Sequence, residues 1–371
     1  MTKYKLQLSA TTTPEAVALS AREGREIKLG LDIHQSKYVI VAQHDHATPK
    51  APRSFAPEQF LPWIDGLLRA GHRLHVVYEA CGFGFGLCRE LRARGVDCQV
   101  IAPQRLDERN TGVKTDGRDA KTLCLRLDRW LQGNRDALAT IRIPSADEEQ
   151  KRQVHRQREQ LVRQKTKLEA QGRSLLVNHG LPAPSRWWKP LAWKPLQKQL
   201  PPWLIEALEI YRPLLTLLEE KIQQLTAVIQ QRVKATQPML PTGLGELTAG
   251  VIGGEIMDWT RFKNRGQISS YTGLCPGEYS SGDKRRQGCV TKHGNPRLRA
   301  ALVELAWRMV RFQPQYRAVQ KRLAILARGA KATGAQRKKA IVAVARQLAV
   351  DLWRIHTGRC TAGQLGFAIL V

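Results

Sequence analysis

The chain has 371 residues, 42 % of them hydrophobic, with 60 Lys and Arg against 32 Asp and Glu and a formal net charge of +28. That balance points to a polyanionic partner, nucleic acid above all, and the length allows two packed cores. No run of about 18 apolar residues is present, and residues 1–24 carry no apolar stretch of signal-peptide length, so a cytoplasmic protein without a membrane span is expected.

The polar stretch 1–24 reads as a flexible tail. From residue 25 to 135 short β-rich runs alternate with helical ones. Ile27–Ile33 and Lys37–Gln43 read as two strands joined by a turn at His34-Gln35-Ser36, and Ser54-Phe55 touches a third. Pro57–Ala70 carries apolar residues at helical spacing, Leu74–Tyr78 is a strand, Leu87–Arg94 a helix and Val96–Ile101 another strand. This order suits a mixed α/β sheet of the ribonuclease-H kind, and no GxGxxG follows a strand. Asp116–Leu131, with Leu123, Leu127 and Leu131 four apart, reads as a helix with an apolar stripe.

Residues 146–235 read as a long-helix segment for dimerisation and RNA contact. Ala146–Asn178 has Val154, Leu161 and Leu168 seven apart, a step that pairs helices in a coiled coil. Between Lys151 and Arg173 there are eight basic residues and two acidic ones, and Arg163 and Lys167 on this stretch are candidate nucleic-acid contacts. The expected partner helix is Leu204–Val233, with a stripe at Leu214, Leu217, Leu218, Ile222, Leu225 and Ile229. Residues 182–203 between them hold six prolines and four tryptophans and are expected to be an irregular tip or interaction loop, with Trp187 and Trp188 packing or stacking on bases.

A mainly helical C-terminal domain is expected over 237–371. Leu240–Gly245 before Thr248–Ile252 reads either as a helix-hairpin-helix turn offering amides to a phosphate or as a plain turn between helices. A loop over Gly273–Gly294 and helices over Pro296–Phe312 and Tyr316–Trp353 follow. Arg317–Arg346 contains nine basic residues and no acidic one. The seven cysteines show no CxxC pair or zinc spacing, so they read as small buried hydrophobes; Cys81, beside Glu79, has a catalytic thiol as its alternative.

Four carboxylates stand out: Asp32 in LGLDIHQ, Glu79 in VVYEACG, and Asp116 and Asp119 in KTDGRDA. Acidic groups inside β-branched runs are costly to bury unpaired, and two Asp three apart share a helix face. Converging carboxylates are what divalent metal needs for phosphodiester chemistry; the competing reading has Asp32 and Glu79 in ion pairs and Asp116 at a helix start.

In these contexts the four residues resemble the DEDD tetrad of insertion-sequence transposases with a RuvC-like N-terminal domain. Tyr271-Thr-Gly-Leu-Cys-Pro-Gly, Tyr279-Ser-Ser-Gly-Asp-Lys and Gly288-Cys-Val-Thr-Lys-His-Gly-Asn resemble the C-terminal transposase domain of that family, which includes the Piv-type invertases. The resemblance implies Mg2+ held by Asp32, Glu79, Asp116 and Asp119, and a serine preceding a glycine that attacks DNA to form a phosphoserine. The matching residue is Ser281, with Ser280 adjoining it. Lys284, Arg285, Arg286 and Lys292 surround that hydroxyl with charge; Lys114, Arg118, Arg297 and Arg299 are further expected contacts. The resemblance also implies an element-encoded bridge RNA that pairs with donor and target DNA, a homodimer assembling to a tetramer, and activity at the prokaryotic nucleoid. A hydrolytic junction nuclease and a noncatalytic RNA-binding scaffold are the competing functions.

Overall fold

The computed structural model describes residues 25–103, 115–236, 240–281 and 284–368, with the side chains of Lys284 and Arg285 outside the description. The chain forms two compact units, divided between Pro144 and Ser145.

The first unit is built on a five-stranded sheet of order β3-β2-β1-β4-β5. Its strands are β1 (Glu26–Ile33), β2 (Tyr38–His44), β3 (Arg53–Phe55), β4 (Arg73–Glu79) and β5 (Asp97–Ile101). β1–β2 and β2–β3 are antiparallel pairs, whereas β1–β4 and β4–β5 are parallel ones. The parallel pairs need crossovers, and α1 (Pro57–Arg69) and α2 (Gly86–Ala93) supply them. This mixed sheet agrees with the ribonuclease-H-like expectation.

Strand alternation divides the apolar residues between two faces. Ile27, Leu29, Leu31, Val76 and Tyr78 pack on Phe60 and Ile64 of α1 and on Leu91 of α2. The opposite face takes α3 (Asp116–Leu131), where Val77 meets Leu123 and Leu127, and Val41 meets Ala120 and Cys124. The fit is tightest at Gly30, where a Cβ would lie 2.1 Å from the carbonyl oxygen of Ala120 and 2.5 Å from the nitrogen of Cys124. Only glycine lets the helix approach so closely. Fully buried Lys28 on the same face reaches Asp128 of α3 at 2.5 Å and the carbonyl of Asp45 at 2.6 Å.

The second unit opens with α4 (Ala146–Asn178), set by a capping box between Ser145 and Glu148. It runs antiparallel to α7 (Tyr211–Thr236), as the pairs Arg158–Thr226 (2.6 Å) and Lys165–Glu219 (3.6 Å) show. Leu215, Ile222 and Ile229 are buried at a seven-residue step, whereas Leu214 and Leu217, expected in the stripe, are exposed. The single partner helix expected over Leu204–Val233 is two, α6 (Pro202–Glu209) and α7.

The Pro- and Trp-rich segment is not the irregular loop expected. It contains α5 (Pro190–Gln197), because Pro190 and Pro202 stand at helix starts, where a missing N–H costs little. Trp187, Trp188 and Trp193 form a core with Leu176, Leu204 and Leu215. Trp187 lies over Gly172, whose Cβ would come within 2.0 Å of the indole. Packing accounts for these tryptophans.

Beyond it come α8 (Glu246–Ile256), α9 (Arg265–Thr272), α10 (Pro296–Phe312), α11 (Arg317–Gln320), α12 (Leu323–Leu326) and α13 (Gly334–His356) around one apolar core. The single helix expected over Tyr316–Trp353 is therefore three. Arg322, non-helical before α12, and Ala327, extended after it, interrupt the run, and Thr333 starts α13 with a fresh capping box. The Gly273–Gly294 loop is a two-stranded sheet of β6 (Pro276–Ser281) and β7 (Lys284–Val290). In the glycine turn before α8, the amides of Thr242 and Leu244 bond the carbonyls of Ala368 and Pro241 (3.0 and 2.9 Å).

At the centre of this unit Glu255 of α8, 1 % exposed, accepts from His155 (2.8 Å), twice from Arg156 (2.9 Å each) and from Asn295 (2.7 Å). Burial pushes its carboxyl up, but these donors outweigh it and hold the group far below its ordinary 4.5. A depressed carboxylate contributes stability above the ordinary value and loses it as pH falls through the folded one. Glu255→Gln should therefore destabilise the second unit by about 3 kcal/mol at pH 7. In urea melts this difference should shrink as pH is lowered from 4.5 toward 2.

Candidate active site

Asp32 lies one residue before the end of β1, and Glu79 ends the parallel neighbour β4. Because Leu31 pairs with Tyr78, Glu79 stands beside Asp32 in register, and alternation puts both on the face that carries α3. Gly30 and Lys28 hold α3 against that face, so Asp116 and Asp119 in its first turn arrive at the same edge. The fold thus places all four predicted carboxylates at one end of the sheet.

The tightest grouping is Asp32, His34 and Asp116, whose ligand atoms all lie within 4.8 Å of one another. His34 Nε2 is 3.4 Å from Asp32 and 3.6 Å from Asp116, and the Lys37 ammonium is 2.9 Å from Asp116. In the sequence His34 carries only a turn signal. Its spacing of two from Asp32 was the available signal, since alternation sends both to one face.

Burial pushes the Asp32 carboxyl above its ordinary value; Asp116 and Asp119 push the same way, against the pull of His34. The hydrogen bond from Lys37 holds Asp116 below its ordinary value. Repulsion among acids that one cation would relieve, with two carboxylates and an imidazole in reach, is a donor set that fits a divalent ion. The carboxylates suit Mg2+ or Mn2+; the imidazole favours Mn2+ over Mg2+.

In the second unit Ser281 is exposed at the end of β6, in register with Lys284, while Ser280 pairs with Arg285 and donates to Glu278 (2.9 Å). Tyr279, 76 % exposed, shares Ser281's side of the strand by alternation. The hairpin stands on a rigid base. Thr291 bonds Cys275 (2.8 Å) and Lys292 bonds Gly273 (3.1 Å), and a Cβ on Gly294 would lie 2.5 Å from the nitrogen of Gly273. Asn295 caps α10 and donates to Glu255. The glycines and asparagine of the two C-terminal motifs thus anchor the strand that carries the serine.

The expected nucleic-acid contacts fall into groups. Arg118 is exposed in the first turn of α3, and Arg286, Lys292 and Lys167 are exposed in the second unit. Arg297 and Arg163 both pair with Glu159, and Arg299 donates to the carbonyls of Thr272 and Lys292 (3.2 Å each). Lys114 and the side chains of Lys284 and Arg285 lie outside the described residues. Glu255, an acid within the apolar run Ala249–Ile256, carries in the sequence the same signal as Asp32.

Removing a ligand charge should show directly in metal affinity. Asp32→Asn and Asp116→Asn should each weaken Mn2+ binding by about tenfold or more in isothermal titration calorimetry. Glu255→Gln should leave it unchanged.

The family model for the DEDD transposase domain of IS110 type matches residues 29–180, and that described as transposase IS116/IS110/IS902 family matches 240–321. The Sinorhizobium fredii protein y4rJ, which carries a transposase name, is 30 % identical over 305 residues, 75 % of this chain and 76 % of its own. A Pseudomonas aeruginosa protein named as a family 20 transposase is 28 % identical, covering 76 % of this chain and 84 % of its own. The transposase for insertion sequence element IS1328 of Yersinia enterocolitica is 24 % identical, with 75 % and 82 % covered. With matches to both domains and a relative at this identity over three quarters of either chain, the protein belongs to the IS110/IS116 family of insertion-sequence transposases.

Proposed function

We propose that this transposase is a Mg2+-dependent, RNA-guided recombinase that cleaves and exchanges DNA strands through a covalent phosphoserine at Ser281. The observation that carries the reading is the pairing of chemistries within one chain: an acidic cluster at the sheet edge and an exposed serine on an anchored, basic hairpin. Each is incomplete alone. A serine hydroxyl is a weak nucleophile without activation, and carboxylates alone offer no group to hold the cut strand.

Asp32, Asp116 and the His34 imidazole would hold the metal, with Glu79 and Asp119 beside them, and Lys37 positions the Asp116 carboxylate. When bound, the ion supplies Lewis-acid stabilisation of phosphoryl and leaving-group oxygens. Ser281 Oγ attacks the phosphorus, the P–O3′ bond breaks, and the departing 3′ oxygen takes a proton from water while the seryl proton passes to solvent. A 3′ hydroxyl of the exchanged strand then attacks the phosphorus of the phosphoserine, its proton passing to solvent, and the P–Oγ bond breaks as Ser281 Oγ takes a proton from water. Arg286 and Lys292 hold the negative charge that builds at phosphorus, along with Lys284 and Arg285.

Recombination joins two DNA duplexes, so two such centres act together, in a homodimer with the long α4 and α7 helices as its dimerising element, which pairs into a tetramer. A net charge of +28 exceeds what one duplex contact requires and suits a chain that also holds an element-encoded bridge RNA. Base pairing to donor and target DNA would then supply the specificity, while protein contacts to phosphate position the strands.

The test combines purified protein, element-flanking RNA, Mg2+ and end-labelled donor and target DNA. A denaturant-resistant protein–DNA adduct should form with wild type and Ser280→Ala and be lost in Ser281→Ala and Asp116→Asn. Cleavage that survives Ser281→Ala without an adduct would make the enzyme hydrolytic instead.

A further inference from the structure

A cavity of about 810 Å3 in the second unit reaches Cys275 at the foot of the Ser281 hairpin, does not include Ser281 itself, and is lined by basic groups from three segments. Arg346 and Arg354 project from α13, Lys263 and Arg265 come from the start of α9, and Arg359 follows α13. Among the described residues that line it, none is acidic. Residues 346, 350, 353 and 354 share one face of α13, so buried Val350 and Trp353 form the floor between the arginines.

The cations are arranged rather than scattered. The Arg359 guanidinium stacks on Trp353, 4.0 Å from the ring, which fixes its direction. Arg354 is 3.5 Å from Asp351, but that carboxylate is 2 % exposed and also accepts from Tyr316 (2.7 Å) and Gln347 (3.0 Å), so it orients Arg354 from beneath. The cavity also meets the first turn of α9 at Gly266, where the helix presents its positive end. Like charges converge here without acidic relief inside the cavity, an arrangement that an incoming polyanion stabilises.

We propose that this cavity binds the sugar–phosphate backbone of a single-stranded polynucleotide, separately from the strand-exchange centre. The proposal rests on the reading that the chain works on nucleic acid, but not on the serine chemistry. Its volume lies in the range of about 300–1,000 Å3 typical of ligand clefts, and cations on several walls favour a strand that can bend inward over a stiff duplex. RNA and DNA present the same phosphates, and oligonucleotides of both kinds separate the two sources.

The experiment is fluorescence anisotropy on the full chain with fluorescein-labelled single-stranded RNA, single-stranded DNA and duplex DNA of one sequence, across a salt series. The double variant Arg346→Gln/Arg359→Gln should weaken single-strand binding roughly tenfold at physiological salt and reduce the salt slope by ~1.4. The equal-charge control Arg328→Gln/Lys331→Gln, which lies outside the cavity, should change affinity less than about twofold. Equal loss in both doubles, no loss in the first, or an equal loss for duplex would overturn the proposal.

A second measurement uses the wild type. Cys275 lines the cavity, so bound single strand should slow its alkylation by a maleimide several-fold, read by peptide mass mapping, while exposed Cys81 in the other unit reacts as before. Unchanged alkylation of Cys275 under saturation would count against the site. Ser281→Ala should bind single strands like wild type, so failure of the adduct chemistry and failure of this site give different results.

Discussion

The close approach of α3 to β1 is the constraint on which the acidic site depends. At Gly30 the helix backbone occupies the space of a side chain, and the buried Lys28–Asp128 pair fixes it further along. Burial raises the Asp128 carboxyl, but the hydrogen bonds from Lys28 and His46 outweigh this and keep it below its ordinary value, so the carboxylate stays charged. These contacts decide where the first turn of α3 lies, and so bring Asp116 and Asp119 beside the strand ends carrying Asp32 and Glu79. Four residues that span 88 positions of chain meet because one position has no side chain.

The second unit solves a similar placement problem with charge. Glu255 ties α4, α8 and the start of α10 through His155, Arg156 and Asn295, and its backbone carbonyl accepts from Tyr271 at 2.9 Å. Around that point Gly273 and Gly294 bring two backbone segments together, and the β6–β7 hairpin springs from them. A fully desolvated carboxylate is costly unless every donor is in place. The network therefore specifies one geometry for the base of the serine-bearing strand.

Much of this was legible in the sequence. Periodicity located the strands of the sheet and gave α3, α4 and α10 with their ends, because each has strong amphipathic or capping signals. What was missed has physical causes. The proline-rich stretch forms a helix because proline is tolerated at a helix start, and the run after Tyr316 breaks twice where no glycine or proline marks the first break. Asp32 and Glu255 both sit as acids in apolar runs, and in the fold each has charged or imidazole partners. The pattern alone does not separate an acid grouped with other acids from one locked in a salt bridge, since that depends on partners up to a hundred positions away.

These two placements put carboxylates together at a sheet edge and a hydroxyl on an anchored hairpin, the two groups on which the proposed function rests. The most direct measurement is anomalous diffraction from crystals of the protein grown with Mn2+. The account predicts an anomalous peak within coordination distance of the Asp32 and Asp116 carboxylates, at about 2.0–2.3 Å from their oxygens. Well-ordered Asp32, His34 and Asp116 with no peak between them, at saturating Mn2+, would contradict it.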